Sequence, residues 1–222
     1  MSGHPTFAME IRAADPSEIE QLTTLWFDGW RDAHEAIVPA ALTRVRTRES
    51  FRDRLRAHLP NVRVAGPPGA PLGFHIVKDD ELYQLYVAAS ARGSGVAAAL
   101  IADAEARLSA AGVRIAWLAC AIGNERAARF YDKRGWRRVG TMIGQLETTA
   151  GIFPLEAWRY EKSVGPRDAR VGLCAQCRHA SIVTSSRGST FYFCELSSID
   201  PRFRRYPALP VLACEGYGPA SI

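Results

Sequence analysis

Residues 90–112 read SARGSGVAAALIADAEARLSAAG. Two glycines beside an arginine lead into an alanine-rich run in which Val96, Leu100, Ala104 and Leu108 recur every four residues, the period of one helix face. Gly112 is placed to end that helix. The stretch before the loop, LYQLYV at 82–87, has the residue types of a strand. A loop that joins strand to helix aims several backbone N–H groups and the positive end of the helix dipole at one spot, which suits a phosphate. A mononucleotide loop needs a lysine and a hydroxyl after its last glycine, and Val96 and Ala97 stand there instead. The dinucleotide fingerprint fits Gly93-Ser94-Gly95-Val96-Ala97-Ala98 locally, but residues 88–92 separate it from the strand. The next strand then closes on Ala121-Ile122-Gly123, with no acid for a ribose hydroxyl.

Upstream, Asp15 can cap a helix that has Pro16 in its first turn and Ile19, Leu22, Trp26 and Trp30 on one face. A second helix is expected from Ser50, with Phe51, Leu55 and Leu59 inward. Residues 61–87 read as two or three antiparallel strands broken at Gly66-Pro67-Pro68-Gly69 and Lys78-Asp79-Asp80. Downstream, residues 113–122 compose a buried strand, and residues 124–135 a short helix capped by Asn124 and stopped by Gly135. Residues 136–144 and 153–164 compose two closing strands. The order predicts an α+β fold, a mixed and mostly antiparallel sheet flanked by helices.

At 222 residues the chain has room for one domain with a sizeable core, 1–163, and a smaller module, 164–222. Apolar residues make up 47% and charged residues 23%, as in ordinary globular chains, and no apolar run approaches a membrane span. The first fifteen residues lack the pattern of a secretory signal, so a cytoplasmic protein is expected. The net charge of +5 rests on arginine, with lysine only at 78, 133 and 162, and that bias together with the alanine content argues against a selected nucleic-acid surface. Arg44, Arg46, Arg48, Arg52, Arg54 and Arg56 fall at mixed spacing and read as a solvated helix surface.

The loop pattern Arg92-x-x-Gly95-x-Ala97 is followed by a second segment, Asn124, Ala127, Ala128, Phe130-Tyr131 and Gly135-Trp136. Together, and in this order, they resemble the GNAT superfamily of N-acetyltransferases over roughly residues 10–162. The resemblance implies a GNAT-like fold, acetyl-CoA as cosubstrate and a primary amine, on a small molecule or a peptide, as acceptor. It implies that the pyrophosphate rests on Arg92, Gly93, Ser94, Gly95, Val96 and Ala97, and that the pantetheine arm runs along Leu85, Tyr86 and Val87 where two strands splay. Asn124, Ala127 and Phe130 would face the same groove. Tyr131 lies where the family keeps its general acid, and a backbone N–H near Val87 would meet the oxyanion. Glu81 stands where the histone-acetylating branch has its base, with His75 through a water as the alternative. Trp30 and His34, on the first helix, would border the acceptor. Cys120 reads as a buried small hydrophobe, since no adjacent histidine could activate it. A non-catalytic acyl-CoA sensor whose tail docks protein or nucleic acid is the competing class, and a homodimer is left open.

Beyond residue 163 come Cys174-Ala-Gln-Cys177, Cys194 and Cys214. Four thiolates opened by a C-x-x-C knuckle suit a tetrahedral site, zinc first and an iron–sulfur cluster as the rival, in a segment too short to build a core unaided. The tail resembles a small four-cysteine module of bacterial proteins, which implies metal binding and no particular activity.

Overall fold

The computed structural model describes residues 10–148, 150–165 and 170–218. The chain forms two compact units, Met1–Val164 and Gly165–Ile222. Pro166, Arg167 and Asp168, at the expected boundary, lie outside the described residues, as do the first nine residues, on which the reading of the N-terminus leans.

The first unit runs β1 (Ile11–Ala13), α1 (Ile19–His34), α2 (Ala40–Val45), α3 (Arg48–His58), β2 (Val62–Ala65), β3 (Gly73–Lys78), β4 (Glu81–Val87), α4 (Val96–Ala110), β5 (Ile115–Ala121), α5 (Glu125–Lys133), β6 (Arg137–Thr148) and β7 (Gly151–Ser163). Its sheet has the order β1-β2-β3-β4-β5-β7-β6. Every neighbouring pair is antiparallel except β4 and β5. The α+β class and the mixed, mostly antiparallel sheet are as expected from the sequence.

The cap expected at Asp15 forms, on a 3-10 turn, Pro16–Glu18, that leads into α1. Asp15 accepts the Ser17 N–H at 2.8 Å, and Glu18 accepts the Asp15 N–H at 3.1 Å, a reciprocal cap. Glu18 is only 1% exposed, and both its oxygens are taken by the Arg12 guanidinium, at 2.6 and 2.7 Å. It also accepts the Gly69 N–H at 2.9 Å, so one carboxylate ties β1, the start of α1 and the β2–β3 loop. The second helix begins two residues before Ser50, because Thr47 accepts the Ser50 N–H and serves as its cap. Two short elements were not foreseen, β1 and α2. Three residues are too few for a periodic signal, and β1 exists only because Ile11, Arg12 and Ala13 find Ala65, Val64 and Arg63 opposite them.

The sheet separates two apolar layers. On one face α1 and α3 bring Leu22, Trp26, Phe51 and Leu55 onto Val62, Val64, Phe74 and Ile76. On the other, α4 and α5 cover Leu82, Ala116, Leu118 and Tyr160 with Ile101, Ala104, Leu108 and Ala128. Each large side chain buried in this way contributes about 1.5–3 kcal/mol. The closing strands are longer than expected and form a continuous hairpin, Arg137↔Glu161 to Thr148↔Gly151, whose distal half sends Leu146, Phe153 and Leu155 back over the α1–α3 layer.

The second unit contains one hairpin, β8 (Ala180–Thr184) on β9 (Thr190–Cys194), registered Ala180↔Cys194 to Thr184↔Thr190. An isolated bridge joins Gly172 to Val211, and Phe191, Phe193 and Tyr206 make edge contacts. Among the described residues no helix is long and apolar enough to cross a membrane.

Candidate active site

Parallel strands β4 and β5 are paired only at Glu81↔Trp117 and then diverge. The register on the other side of β4 also slips. Ile76 faces Gln84 and Val77 faces Leu82, which leaves Tyr83 as the extra residue of a bulge. The bulge puts Tyr83 and Tyr86, three apart, on the same α1–α3 face. The gap between the strands opens into a cleft of ≈ 600 Å³. Leu82 through Val87 line one wall and Ala119, Cys120 and Ala121 the other, and α1, α5 and the β6–β7 hairpin complete it.

At one end of the cleft the chain turns through Gly93 (φ 79°) and Gly95 (φ 92°) into α4. An added methyl at either glycine would meet no atom within 4 Å, so both border open space. The first hydrogen bond returning to the loop is Ala99 N–H to Gly95 O at 3.0 Å. The N–H groups of Val96, Ala97 and Ala98 are therefore the orphan donors of a fifteen-residue helix. Arg92, Gly93, Gly95 and Ala97 line the cleft, whereas Ser94 and Val96 do not. The Ser94 hydroxyl donates to Ala91 O at 2.7 Å and holds the turn, and Val96 is fully buried beneath it. Asp32 on α1 bridges Arg92 at 2.8 Å and Arg126 of α5 at 2.6 Å, and the Arg126 contact foremost holds its carboxyl below the usual range.

Along the cleft, Asn124 is the cap of α5, its Oδ1 accepting the Ala127 N–H at 3.2 Å. Asn124, Ala127, Phe130 and Tyr131 all line the cleft. The Tyr131 ring packs against Phe130, Trp136 and Tyr160. Burial, then the neighbouring Cys120, Tyr86 and Tyr160, raises the Tyr131 phenol, so it holds its proton at neutral pH and faces the cleft as a hydrogen-bond donor. Burial likewise pushes the Cys120 thiol up to about 12, which makes it a poor nucleophile.

Glu81, Trp30, His34, Arg46 and Arg54 line the same cleft. Burial raises the Glu81 carboxyl to about 7, with Lys78 and Arg159 opposing and Asp80 and Asp79 adding to the rise. Trp30 and His34 stack at 5.5 Å. His34 Nδ1 lies 3.0 Å from Trp30 O, and since a carbonyl only accepts, Nδ1 carries the proton and Nε2 a lone pair. Burial keeps this imidazole below its ordinary pKa.

Two expectations are corrected here. His75 is completely buried on the α4 face of β3, with Nε2 2.8 Å from Asp103, and it does not line the cleft. Strand alternation explains this. Phe74 and Ile76 point to the α1–α3 layer, so His75 between them must point away. The arginines at 44–56 are not uniformly a solvated surface either. Arg46 is 4% exposed, and both it and Arg54 line the cleft. Their i, i+8 spacing was a visible but weak signal, because Arg46 lies in the turn after α2 and Arg54 within α3.

In the second unit the expected metal-stapled module is not shown. Cys174, Cys177, Cys194 and Cys214 are half-buried free thiols. Among the described residues no group of three or more His, Cys, Asp or Glu is arranged to hold a metal ion. Burial raises the Cys174 thiol, as do the three other cysteines, which are near it without forming a coordination-ready set. The C-x-x-C spacing constrains only the first pair, and nothing local forces Cys194 and Cys214 to close a tetrahedron around it.

Residues 22–136 match the profile of the Acetyltransferase (GNAT) family. No curated protein matches the chain in sequence. Among solved structures, a GCN5-related N-acetyltransferase from Rhodopseudomonas palustris is 20% identical, with 72% of this chain and 99% of that one covered and a TM-score of 0.57. YjaB from Escherichia coli, in its apo form, is 22% identical over 71% and 99% of the two chains, with a TM-score of 0.53. Ard1 from Thermoplasma volcanium is 20% identical over 72% and 99%, with a TM-score of 0.52. These likenesses are of fold.

Proposed function

The chain belongs to the GNAT family of acetyltransferases, and from that premise we propose that it moves the acetyl group of acetyl-CoA to a primary amine by direct attack, with Glu81 as base and Tyr131 as acid. One observation carries the reading. Glu81 and Tyr131 line a single cleft that continues to the orphan N–H groups of α4.

The residues fit the coenzyme. Open space over Gly93 and Gly95, the free donors of α4 and the cations of Arg92 and Arg126 suit a pyrophosphate. The diverged edge of β4 at Leu85, Tyr86 and Val87 offers backbone groups to an extended amide arm. When bound, the coenzyme supplies an activated acyl carbon.

Glu81 takes the proton that the amine must lose as its nitrogen bonds to that carbon. A β4 N–H near Val87 meets the negative charge that develops on the carbonyl oxygen. Tyr131 gives its proton to the sulfur as the carbon–sulfur bond breaks, so the products are an N-acetyl amine and free CoA thiol. Glu81 and Tyr131 then exchange protons with solvent and return to their starting states.

The test is thiol release from acetyl-CoA across a panel of amines, in the native protein and in Tyr131→Phe. The variant is expected to bind acetyl-CoA with unchanged affinity by calorimetry and to lose about a hundredfold in kcat. Full turnover in Tyr131→Phe removes the tyrosine from the mechanism. Absence of thiol release with every amine, despite coenzyme binding, makes the fold a sensor.

A further inference from the structure

Resting on the acetyl-transfer reading above, we infer that the acceptor is a small amine that also carries a carboxylate, and that Arg46 and Arg54 hold it through that carboxylate. Arg46 follows α2, and its Nη1 donates to the backbone oxygen of Glu147 at 3.0 Å, while its Nε is buried with no partner. Arg54 comes from α3. Its guanidinium lies 4.5 Å from the centre of the Trp26 ring, its Nη2 donates to the Tyr83 hydroxyl at 2.8 Å, and its Nε also lacks a partner. Among the described residues neither guanidinium meets a carboxylate. Elsewhere in this unit Arg12, Arg92, Arg126 and Arg159 all do.

The two charges sit close enough to repel. Burial first, and Arg54 second, push the Arg46 guanidinium down to about 10, with Tyr83, Tyr86 and Glu147 opposing the fall, which still leaves it fully charged at neutral pH. A buried charge is tolerated when something neutralises it. Among the described residues that line the cleft Glu81 is the one acid, and the charged groups acting on it are Lys78, Asp79, Asp80 and Arg159, not the arginine pair, while Glu147, which acts on Arg46, is exposed and makes no ion pair with it among the described residues. The countercharge is therefore expected to arrive with the ligand.

A guanidinium fork matches the two oxygens of a carboxylate, and both arginines are pre-ordered, one by the Glu147 carbonyl and the other by Trp26 and Tyr83. Glu81 at the reacting end receives the ammonium. The cleft is thus polarised to orient a zwitterion, acid toward the arginines and amine toward the thioester. Leu42, Leu146 and Leu155 also line the cleft and suit an aliphatic body.

The experiment compares matched pairs, each free amino acid against its primary amide, by thiol release from acetyl-CoA. The panel spans the common side chains and includes longer-spaced amino acids. For the best pair kcat/KM is expected to favour the acid by at least about tenfold, and Arg54→Gln to bring that ratio close to one. Tyr83→Phe, which removes only the anchor of Arg54, is a second variant and is expected to lower the ratio if Arg54→Gln does not fold. Equal or faster turnover of the amides, or a ratio untouched by these variants, overturns the inference while leaving acetyl transfer intact. A parallel titration of N-acetyl amino acids against their amides reads the same recognition by binding alone. Arginine-dependent binding of the acid form, with no amine ever acetylated, keeps the anion subsite and removes the acetyl-transfer reading instead.

Discussion

The most informative perturbation is Glu81→Gln followed across pH. The native carboxyl is raised to about 7 because it is held in the cleft away from water, with Lys78 and Arg159 only partly offsetting Asp79 and Asp80. A base works in its ionised form. A group titrating near 7 is about one-eleventh ionised at pH 6 and ten-elevenths at pH 8, so kcat/KM is expected to rise about tenfold over that interval. A carboxylate at the ordinary 4.5 would give a flat profile there. An acceptor amine with a pKa near that of lysine, about 10.4, adds a separate limb at higher pH that belongs to the substrate. Glu81→Gln should lower kcat/KM by about a hundredfold or more at pH 8, abolish the inflection near 7, retain the amine limb and leave acetyl-CoA affinity unchanged. The assay is initial-rate thiol release at saturating acetyl-CoA from pH 5.5 to 9.5, with calorimetric titration of the coenzyme as the control. An inflection near 7 that survives in Glu81→Gln would move the base elsewhere, with the bare Nε2 of His34 as the next group to test.

Two further predictions concern the scaffold that holds the site. Gly95→Ala places a side chain at φ 92° and adds a methyl to the open space over the loop, so it should cost about 1–2 kcal/mol of stability and weaken acetyl-CoA about tenfold. Gly112→Ala, at φ 85° but away from the cleft, should lower stability by a similar amount and leave affinity untouched, and calorimetry with thermal melts separates the two. Glu18→Gln should cost about 3 kcal/mol at pH 7, because Arg12 holds the buried carboxyl at about 2 against 4.5 when unfolded. A lowered carboxylate stabilises above its unfolded pKa, so the native advantage over Glu18→Gln should shrink as pH falls from 4.5 toward 2, as measured by urea unfolding. A gap that stays constant across that range would show that the Arg12–Glu18 pair contributes through shape alone.

Several features were legible because each depends on residues within one turn or one strand. The Asp15 cap, the two glycines with positive φ and the Asn124 cap of α5 are local in this sense, and the latter two set the glycine-loop and α5 walls of the cleft. The same locality explains the near misses. Ser94 fits the loop pattern but spends its hydroxyl on Ala91, and Val96 turns inward, which spacing along the chain cannot distinguish from facing a ligand. His75 failed for a different reason, since which face of β3 it takes depends on which neighbours meet the α1–α3 layer.

The arginine pair and the carboxyl of the cleft were decided by contacts across the whole fold. Arg46 is held by the carbonyl of Glu147, 101 residues away, and Arg54 by Tyr83, which the β4 bulge turns toward it. The raised carboxyl of Glu81 follows from burial that no stretch of sequence contains. The four cysteines show the same limit, since their count and spacing are local facts while a metal site requires all four to converge. The amino-acid sequence by itself determined the helix faces, the caps, the glycine loop and the order of elements, because these rest on short-range periodicity and backbone sterics. Only the tertiary structure decided which charges are buried without a facing carboxylate and which carboxyl is raised toward neutral pH, because desolvation and countercharge depend on segments that meet only after the chain has folded.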